Sequence, residues 1–322
     1  MQQADLGLTE AEIASQPDCW RRAAALLPEV GGLLPSPGER VAVVGCGTSW
    51  FIAQCYAVAR EAAGLGETDA FAASEMPAGR RYDRVVALSR SGTTTEILRL
   101  LDELGGVQPT VAITADPRTP ISDVADAVVG LEFADEQSVV QTRFATSELA
   151  LLLAHLGVEV EPVAVAAERV LADPLPEVLT GGLTEVCQYT FLGTGWTVGL
   201  ASEAALKLRE SAGLWAESYP AMEYRHGPIA VTGAGSLVWM LGSAPEGLAD
   251  EVAAAGGTMW PGPDLAGADL AGAGGPAAAG GPAAEHPLAE LVRVHRVAVT
   301  VARAAGLDPD RPRNLTRSVI LN

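Results

Sequence analysis

Four hydroxyl side chains stand close together in the segment Ser89-Arg90-Ser91-Gly92-Thr93-Thr94, between an apolar run and a helical pattern. The first backbone N–H groups of a helix have no partner inside the helix and carry a partial positive charge. Hydroxyls beside such N–H groups supply the chemistry that a monoester phosphate requires. A helix cap alone needs one hydroxyl, so we predict a phosphate site rather than a simple N-cap. The Walker motif GxxxxGK[ST] does not occur, which disfavours hydrolysis of a nucleoside triphosphate.

A second glycine-containing turn, Gly45 to Trp50, follows another apolar run and opens a helix. Its sequence GCGTSW has tryptophan where a dinucleotide-binding GxGxxG motif has its third glycine. That glycine permits close packing of helix and strand beside a pyrophosphate, so NAD is disfavoured. The turn by itself fits an ordinary strand-to-helix connection equally well.

Glu203, Lys207 and Glu210 follow one another at helical spacing, so they share one face of a helix. On a solvated face such a pair contributes only ~0.3–0.5 kcal/mol and has no function. Lys207, however, is the single lysine among 21 basic residues, which suggests a site that needs a compact ammonium. Further along, His226 lies in the turn-forming sequence His-Gly-Pro, which leaves its ring exposed and able to titrate.

The strands and helices that the sequence predicts must hold these candidate residues in place. Apolar runs that predict strands begin at Val41, Val85, Val111 and Val128. Strands separated by helices form a parallel sheet with both faces covered, which is an α/β architecture. We therefore predict an N-terminal helical segment at 1–37, a first domain at 38–158 and a connector with a short helix at 159–182.

The pattern restarts in the second half of the chain. The segment TFLGTGWTVGLASEAALKLRESAG, from Thr190, repeats the strand, Gly-x-Gly turn and Ala-rich helix of VVGCGTSWFIAQCYAVAREAAG, from Val43. The strand from Ser236 leads into SAPEG instead of a Ser/Thr-rich turn, so only the first copy should bind phosphate. We predict a second, degraded α/β domain at 183–305 and a C-terminal tail at 306–322 that completes the active site. Residues 261–285, almost all Gly, Ala, Pro and Asp, predict a mobile surface excursion.

Composition limits the partners. The chain has 322 residues, and its 40 acidic and 21 basic residues give a net charge of −19, which repels nucleic acid and anionic membranes. No apolar run approaches the ~20 residues of a membrane span, and no signal peptide is recognisable, so we expect a cytoplasmic protein. Four cysteines without CxxC spacing and four histidines argue against a disulfide framework and a metal site. We predict neither a metal nor another cofactor.

Together these motifs resemble the sugar isomerase (SIS) domain family, and within it the isomerase half of glucosamine-6-phosphate synthase. The resemblance covers most of the chain and rests on the segments EIASQP, VVGCGTS, LSRSGTTTE, 136–142, FLGTG, SEAALKLRE, EYRHGP and PRNLTRSV. It implies two tandem SIS-type domains, each a flavodoxin-like three-layer sandwich around a parallel sheet. The glutaminase half of the synthase is missing, because Met1 is not followed by a nucleophilic cysteine, and we expect no release of ammonia from glutamine.

The resemblance also implies which residues hold the ligand. The phosphate would be held by Ser89, Arg90, Ser91 and Thr94, with Arg90 standing where the synthase typically has glutamine. The sugar would be lined by Gly47, Thr48 and Ser49, by the backbone around Val139, by Gln141 and by Glu203.

The catalytic roles follow from the same resemblance. Glu210 would be the base that moves a proton between C1 and C2 of the sugar, with Lys207 beside it. His226, offered by the neighbouring subunit in the family, would assist ring opening, which implies a homodimer. Arg317 stands where the synthase has a lysine that forms an imine with the keto sugar, and a guanidinium cannot form one. Either activity is lost, or Arg317 stabilises an enediolate electrostatically.

Two functions remain open from the sequence. One is isomerisation of a hexose 6-phosphate or its 2-amino derivative, with or without loss of ammonia. The other is a phosphosugar-binding sensor without turnover, which Arg317 favours and which Glu210 and His226 disfavour, since binding alone does not need them. The cations Arg90, Arg143, Lys207, Arg225 and Arg317 lie in or beside the ligand motifs, so we also predict a positive pocket on a negative surface.

Overall fold

The computed structural model describes residues 7–77, 79–180, 186–262 and 286–321. Within these ranges the α-helices are α1 (Leu8–Ala14), α2 (Gln16–Ala25), α3 (Leu27–Val30), α4 (Thr48–Ala62), α5 (Thr95–Leu104), α6 (Ile121–Val124), α7 (Arg143–His155), α8 (Val160–Ala172), α9 (Glu177–Thr180), α10 (Thr197–Ala212), α11 (Leu248–Ala254) and α12 (Pro287–Ala304). The strands are β1 (Val41–Gly45), β2 (Thr68–Ala72), β3 (Arg84–Leu88), β4 (Thr110–Thr114), β5 (Ala127–Gly130), β6 (Gln188–Gly193), β7 (Ala216–Pro220), β8 (Ser236–Met240) and β9 (Thr258–Trp260). None of these helices combines the length and apolar character that crossing a bilayer demands.

The first sheet has the order β2-β1-β3-β4-β5, and all its neighbouring strands are parallel. Every residue of β1 and β4 is buried, as expected for central strands covered on both faces. One side of the sheet packs against the apolar stripe of α5, where Ile97 and Leu101 join the core formed by Val44, Ala87 and Ala112. Because β1 and β3 are adjacent and parallel, the turns that follow them lie at the same edge of this sheet.

The second sheet has the order β7-β6-β8-β9 and is also parallel. Helices α10 and α12 pack against each other, and the core includes Leu192, Val238 and Met240. A buried carboxylate lies within this apolar region: Glu290 accepts hydrogen bonds from the indole N–H groups of Trp239 and Trp260 at 3.0 and 2.8 Å. Those two donors and Arg293, at 3.2 Å, compensate the loss of water around the charge.

The chain divides into two compact units, each made of separate stretches of sequence. The five-stranded unit contains the described residues of 18–136, 143–160 and 316–322. The four-stranded unit contains those of 1–17, 137–142 and 161–315. The end of the chain therefore belongs to the unit built mainly from the first half of the sequence.

Several elements differ from the sequence predictions. The N-terminal helical segment predicted at 1–37 contains, in its described residues, the three α-helices α1 to α3. The predicted connector with a short helix contains α8, which is 13 residues long. Strands β2, β7 and β9 were not predicted, and each forms an edge of a sheet. The predicted surface excursion at 261–285 lies, from residue 263 onward, outside the described residues.

Candidate functional site

The predicted phosphate turn joins β3 to α5 in the five-stranded unit. Gly92 has φ +60°, and a Cβ atom at this position would lie 1.9 Å from the hydroxyl oxygen of Thr119. Both the backbone conformation and the space therefore require glycine. The Gly92 carbonyl accepts the Ile121 N–H at 3.1 Å, which ties the turn to the segment that follows β4.

The hydroxyls of this turn converge at the first turn of α5. The Ser91 hydroxyl accepts the Thr93 N–H at 3.2 Å and lies 3.4 Å from the Thr94 hydroxyl. Thr94 is the N-cap residue of α5, but its side chain makes no capping hydrogen bond. Ser89 is buried, and within the described part of the chain its hydroxyl has no hydrogen-bond partner. Since simple capping does not explain these hydroxyls, their arrangement favours a ligand.

Arg90 is the buried cation of the turn. Its side chain is only 1% exposed, and its guanidinium lies 3.8 Å from the Glu136 carboxylate. The same guanidinium donates to the backbone carbonyl of Arg317 at 3.0 Å. The positive charge that the sequence places beside the phosphate turn is thus held by an internal carboxylate.

A second carboxyl group lies behind this pair. Glu148 on α7 is fully buried, and burial, followed by the negative charge of Glu136, raises the pKa of its carboxyl well above the usual value. Burial thus favours the neutral form of the Glu148 carboxyl, whereas the Glu136 carboxylate lies 3.8 Å from the Arg90 guanidinium and accepts the Arg143 N–H at 2.8 Å.

The predicted sugar-lining turn begins α4 at the same edge of the first sheet. Gly47 has φ +55°, and Thr48 and Ser49 are buried. A Cβ atom on Gly45 would lie 2.4 Å from the Ser49 backbone, so this glycine lets α4 approach the end of β1 closely.

The C-terminal segment lies over the ends of β3 and β5 in the same unit. The Arg317 guanidinium donates to the Asp135 carboxylate and to the Glu136 carbonyl. The Ser318 hydroxyl lies 3.2 Å from that of Ser91 and 3.1 Å from that of Thr93. A direct contact thus joins the phosphate turn to the end of the chain.

A cavity of about 450 Å³ opens beside this contact. It is lined by Arg90, Ser91, Thr93, Asp116, Thr119, Asp135, Thr316, Arg317, Ser318 and Ile320. Two arginines and two aspartates balance each other among these described residues. The lining of this cavity therefore lacks the excess positive charge that we predicted from the sequence.

Two further predicted sugar contacts, Val139 and Gln141, lie in the four-stranded unit. The Val139 N–H donates to the Asp310 carbonyl at 3.3 Å. The loop that carries them is held by Glu12 of α1, which is buried and accepts the Gln137 N–H at 2.6 Å. Sequence reasoning did not assign a role to Glu12, although it lies in the quoted segment EIASQP.

Glu203, Lys207 and Glu210 of α10 form a charged cluster in the four-stranded unit. The Lys207 ammonium lies 3.4 Å from the Glu203 carboxylate and 2.5 Å from that of Glu210. The Lys207 and Glu203 side chains are 1% exposed, whereas that of Glu210 is 20% exposed. This is no solvated surface pair: a buried ammonium lies between a buried carboxylate and one that reaches solvent.

His295 on α12 is the buried neighbour of this cluster. Burial and, to a lesser degree, the charge of Lys207 lower the pKa of its imidazole to about 3. The ring is therefore neutral at physiological pH and adds no charge to the cluster.

His226 lies apart in an exposed turn of the same unit. It ends a short 3₁₀ helix, Glu223–His226, and Gly227 follows with φ +150°. The preceding Tyr224 is fully buried and hydrogen-bonds to Thr232, which anchors the turn. Within the described part of the chain the His226 ring has no hydrogen-bond partner, so it is free to reach a ligand or another molecule.

The structure thus brings the predicted residues together in two groups. The five-stranded unit holds the phosphate turn, the turn at Gly47 and Arg317, and the four-stranded unit holds Val139, Gln141, the Lys207 cluster and His226. Asp135 and Ser318, which contact Arg317 and the phosphate turn, were not predicted. The sequence spacing around Asp135 and Ser318 does not distinguish either of them from an ordinary surface residue.

Comparison with known proteins supports the resemblance. No protein-family model matches the chain. A glutamine–fructose-6-phosphate aminotransferase (isomerizing) of Caulobacter vibrioides is 29% identical over an alignment of 353 positions, which covers 96% of this chain and 58% of the relative. The chain therefore spans a little over half the length of that relative.

Solved structures share the fold over nearly the whole chain. The crystal structure of a glucosamine-6-phosphate deaminase from Thermotoga maritima superposes with a TM-score of 0.77 at 23% identity, covering 98% of this chain and 100% of the other. A tagatose-6-phosphate ketose/aldose isomerase from Escherichia coli gives a TM-score of 0.77 at 20% identity, covering 98% and 96%. The predicted resemblance of this chain to the sugar isomerase family, and to glucosamine-6-phosphate synthase within it, is thereby confirmed.

Proposed function

We propose that this protein is a phosphosugar isomerase that acts on a hexose 6-phosphate or its 2-amino derivative. The hydroxyl-rich turn before α5 would bind the phosphate, and the Glu210 carboxylate would move a proton between C1 and C2. The similar proteins bear the names of an aminotransferase that isomerises, a deaminase and a ketose/aldose isomerase, all of sugar 6-phosphates. Loss of ammonia from an aminosugar is included in the proposal.

The observation that carries the proposal is the Lys207 cluster. A base that removes a proton from carbon must be ionised, and it must reach the substrate. The Glu210 carboxylate lies 2.5 Å from the Lys207 ammonium, and its side chain is 20% exposed, so it can reach a substrate. The buried Glu203 carboxylate lies 3.4 Å from the same ammonium, on the side away from solvent.

The remaining steps need a cation and an acid–base group. Proton abstraction beside a carbonyl develops negative charge on oxygen, which a fixed cation stabilises. Lys207 or Arg317 would supply that charge, and neither step requires an imine. His226, exposed and without a partner in the described chain, would transfer the proton that opens the sugar ring.

Hydrogen exchange at the substrate tests the role of Glu210. Proton NMR in deuterated buffer, with fructose 6-phosphate and glucosamine 6-phosphate as substrates, should show deuterium entering C2. The exchange should vanish in Glu210→Gln and persist in Glu168→Gln, which changes an exposed glutamate of α8. Full exchange in Glu210→Gln would remove this residue from the role of base.

A second candidate function is a phosphosugar sensor without turnover. The observation that favours it is the engagement of Arg317, whose guanidinium is held by Asp135 and the Glu136 carbonyl. Calorimetry with fructose 6-phosphate, followed by product analysis of the same sample, separates the two. Binding without conversion of any hexose phosphate would establish the sensor, and conversion would exclude it.

We also propose a homodimer in which His226 acts in the active site of the neighbouring subunit. If so, mixing the inactive variants Glu210→Gln and His226→Asn and allowing subunits to exchange restores complete sites in mixed dimers. Random pairing would recover about a quarter of the wild-type activity. A monomer in solution, or a mixture as inactive as its components, would argue against the shared site.

The two sheets are proposed to be tandem copies of one unit, the second of them degraded. In both sheets the first strand in the sequence lies between the second and the third, and the fourth lies next to the third. All these strands are parallel. Gly45 and Gly193 both lie where a Cβ atom would overlap the following helix, at 2.4 and 2.3 Å. Only the first copy carries the hydroxyl-rich turn, so a titration should find one phosphate per chain.

A further inference from the structure

The loop at residues 137–142 carries two of the predicted sugar contacts, Val139 and Gln141. None of its residues lies in a helix or a strand, so no ladder of backbone hydrogen bonds fixes the loop. The side-chain carbonyl oxygen of Gln141 is buried and has no hydrogen-bond partner among the described residues. A buried acceptor of this kind needs a donor, which a sugar hydroxyl would supply. The contacts that hold the loop therefore bear directly on sugar binding.

Glu12 on α1 supplies much of what holds this loop. Its side chain is buried, and one carboxylate oxygen accepts the Gln137 N–H at 2.6 Å and the Ser138 N–H at 3.3 Å. The other oxygen accepts the Ser138 hydroxyl, and Ser138 is fully buried. Three donors from two consecutive residues thus converge on one carboxylate. Without it, the Ser138 groups would lose an acceptor where water is excluded, and the loop would have to move to find another.

The helix that carries Glu12 is held to the same loop at its other end. The Asp310 carboxylate accepts the N–H groups of Leu8 and Thr9, the first two residues of α1, at 3.0 and 2.7 Å. The backbone carbonyl of Asp310 accepts the Val139 N–H at 3.3 Å. Helix, loop and Asp310 all belong to the four-stranded unit, and each contacts the other two. The loop is therefore held from two directions, which limits the conformations open to its backbone.

We propose that Glu12 is a positioning residue of the sugar site, which holds loop 137–142 in the conformation that lets Val139 and Gln141 contact the sugar. The proposal rests on the proposed function in taking these two residues as sugar contacts, and it adds α1 to the elements on which sugar binding depends. In this role Glu12 acts through the loop and does not itself contact the substrate. Its loss reduces the apparent affinity in proportion to the fraction of molecules whose loop keeps that conformation.

Two substitutions at one position separate the hydrogen bonds of Glu12 from the space that it fills. Glu12→Leu keeps the approximate size of the side chain and removes both acceptors, so calorimetry with fructose 6-phosphate should show binding at least about tenfold weaker. In Glu12→Gln the amide oxygen can accept the Gln137 N–H, and the amide N–H can donate to the Ser138 hydroxyl oxygen. That hydroxyl can then donate to the Val140 carbonyl, which lies 2.9 Å away, so the affinity should stay within about threefold of the wild type.

Inorganic phosphate distinguishes a displaced loop from a damaged fold. The phosphate turn belongs to the five-stranded unit, so the phosphate affinity of Glu12→Leu should change by less than about twofold. Ser138→Ala removes only the hydroxyl, should weaken fructose 6-phosphate binding about two- to fivefold, and keeps the test valid if Glu12→Leu does not fold. Glu10→Leu is the matched control, since it makes the same change on α1 at a carboxylate that pairs with Arg303, and it should leave both affinities unchanged.

The outcomes separate the positioning role from the function on which it rests. Weaker binding of fructose 6-phosphate by Glu12→Leu and Ser138→Ala, with unchanged phosphate affinity and near-complete recovery in Glu12→Gln, supports the proposal. Wild-type affinity for the sugar phosphate in both variants, or an equal loss of both ligands, overturns it and leaves Glu12 a residue of the fold alone. If neither fructose 6-phosphate nor glucosamine 6-phosphate binds the wild type more tightly than phosphate does, the proposed function fails, and the positioning role with it.

Discussion

Replacing Lys207 by methionine should destabilise the fold strongly, because it removes the ammonium beside the buried Glu203 carboxylate. The Lys207 ammonium lies 3.4 Å from the Glu203 carboxylate, and both side chains are 1% exposed. Removing one partner of such a buried pair costs about 3–5 kcal/mol, since the other charge remains without water. Glu210, which is 20% exposed, can be hydrated and should add only about 0.2–1 kcal/mol.

The size of this effect is measured by urea unfolding followed by circular dichroism. We expect the free energy of unfolding of Lys207→Met to fall by about 3–5 kcal/mol. Lys207→Met combined with Glu203→Gln should be more stable than Lys207→Met alone, by about 2 kcal/mol, because the carboxylate that faced the ammonium is then replaced by a neutral amide. Arg209→Met removes a cation from an exposed position of the same helix and serves as the control, with an expected loss of about 1 kcal/mol.

Two results would refute this reasoning. A loss below about 1 kcal/mol in Lys207→Met would mean that water reaches Glu203 despite its burial. A double variant no more stable than Lys207→Met would mean that packing around the lysine stem, rather than the buried charge, sets the cost.

Two other predictions concern the five-stranded unit. Gly92→Ala and Gly106→Ala each force an alanine to adopt a positive φ, which lowers the free energy of unfolding by about 1–2 kcal/mol. Of these two positions, only Gly92 has another residue where the new Cβ atom would lie. Gly92→Ala should therefore lose more stability in urea and should also lose phosphate binding, while retention of full binding would contradict the assigned turn geometry. The raised pKa of Glu148 means that its neutral form stabilises the fold, so this stability is complete below the unfolded pKa and is lost as pH rises through the folded value. Urea midpoints between about pH 5 and 8 should fall less in Glu148→Gln than in the wild type, and parallel curves would exclude Glu148 as the cause.

The central strands could be predicted from the sequence because they are buried on both faces and therefore appear as continuous apolar runs. Residues 41–45 and 110–114 are buried throughout, and a continuous apolar run follows from that environment. The edge strand β2, with the sequence TDAFA, is only half buried and carries an aspartate. In β7, AESYP, polar residues again alternate without a clear apolar face. Such strands are fixed by their neighbours in the sheet, which a local pattern does not reveal.

The candidate site was predictable to a similar degree. Hydroxyl spacing and the lone lysine identified the phosphate turn and the α10 cluster, because both depend on residues close in sequence. The contact of Ser318 with Ser91 joins positions 227 residues apart, and the pairing of Arg317 with Asp135 spans 182. The charge balance of the cavity follows from these distant pairings, which explains why counting cations near the motifs overestimated its positive charge.

The division into interleaved stretches limits how this chain can be shortened or rearranged. Neither unit is a continuous piece of sequence, since residues 137–142 and 316–322 each belong to the unit opposite to that of the residues before them. No single peptide-bond cut can yield two complete fragments. A gene fragment ending near residue 160 would lack the last seven residues, and with them the groups that now rest on the Ser91 hydroxyl. We therefore expect the two halves to fold only when they are expressed together, and neither to fold completely when it is expressed alone.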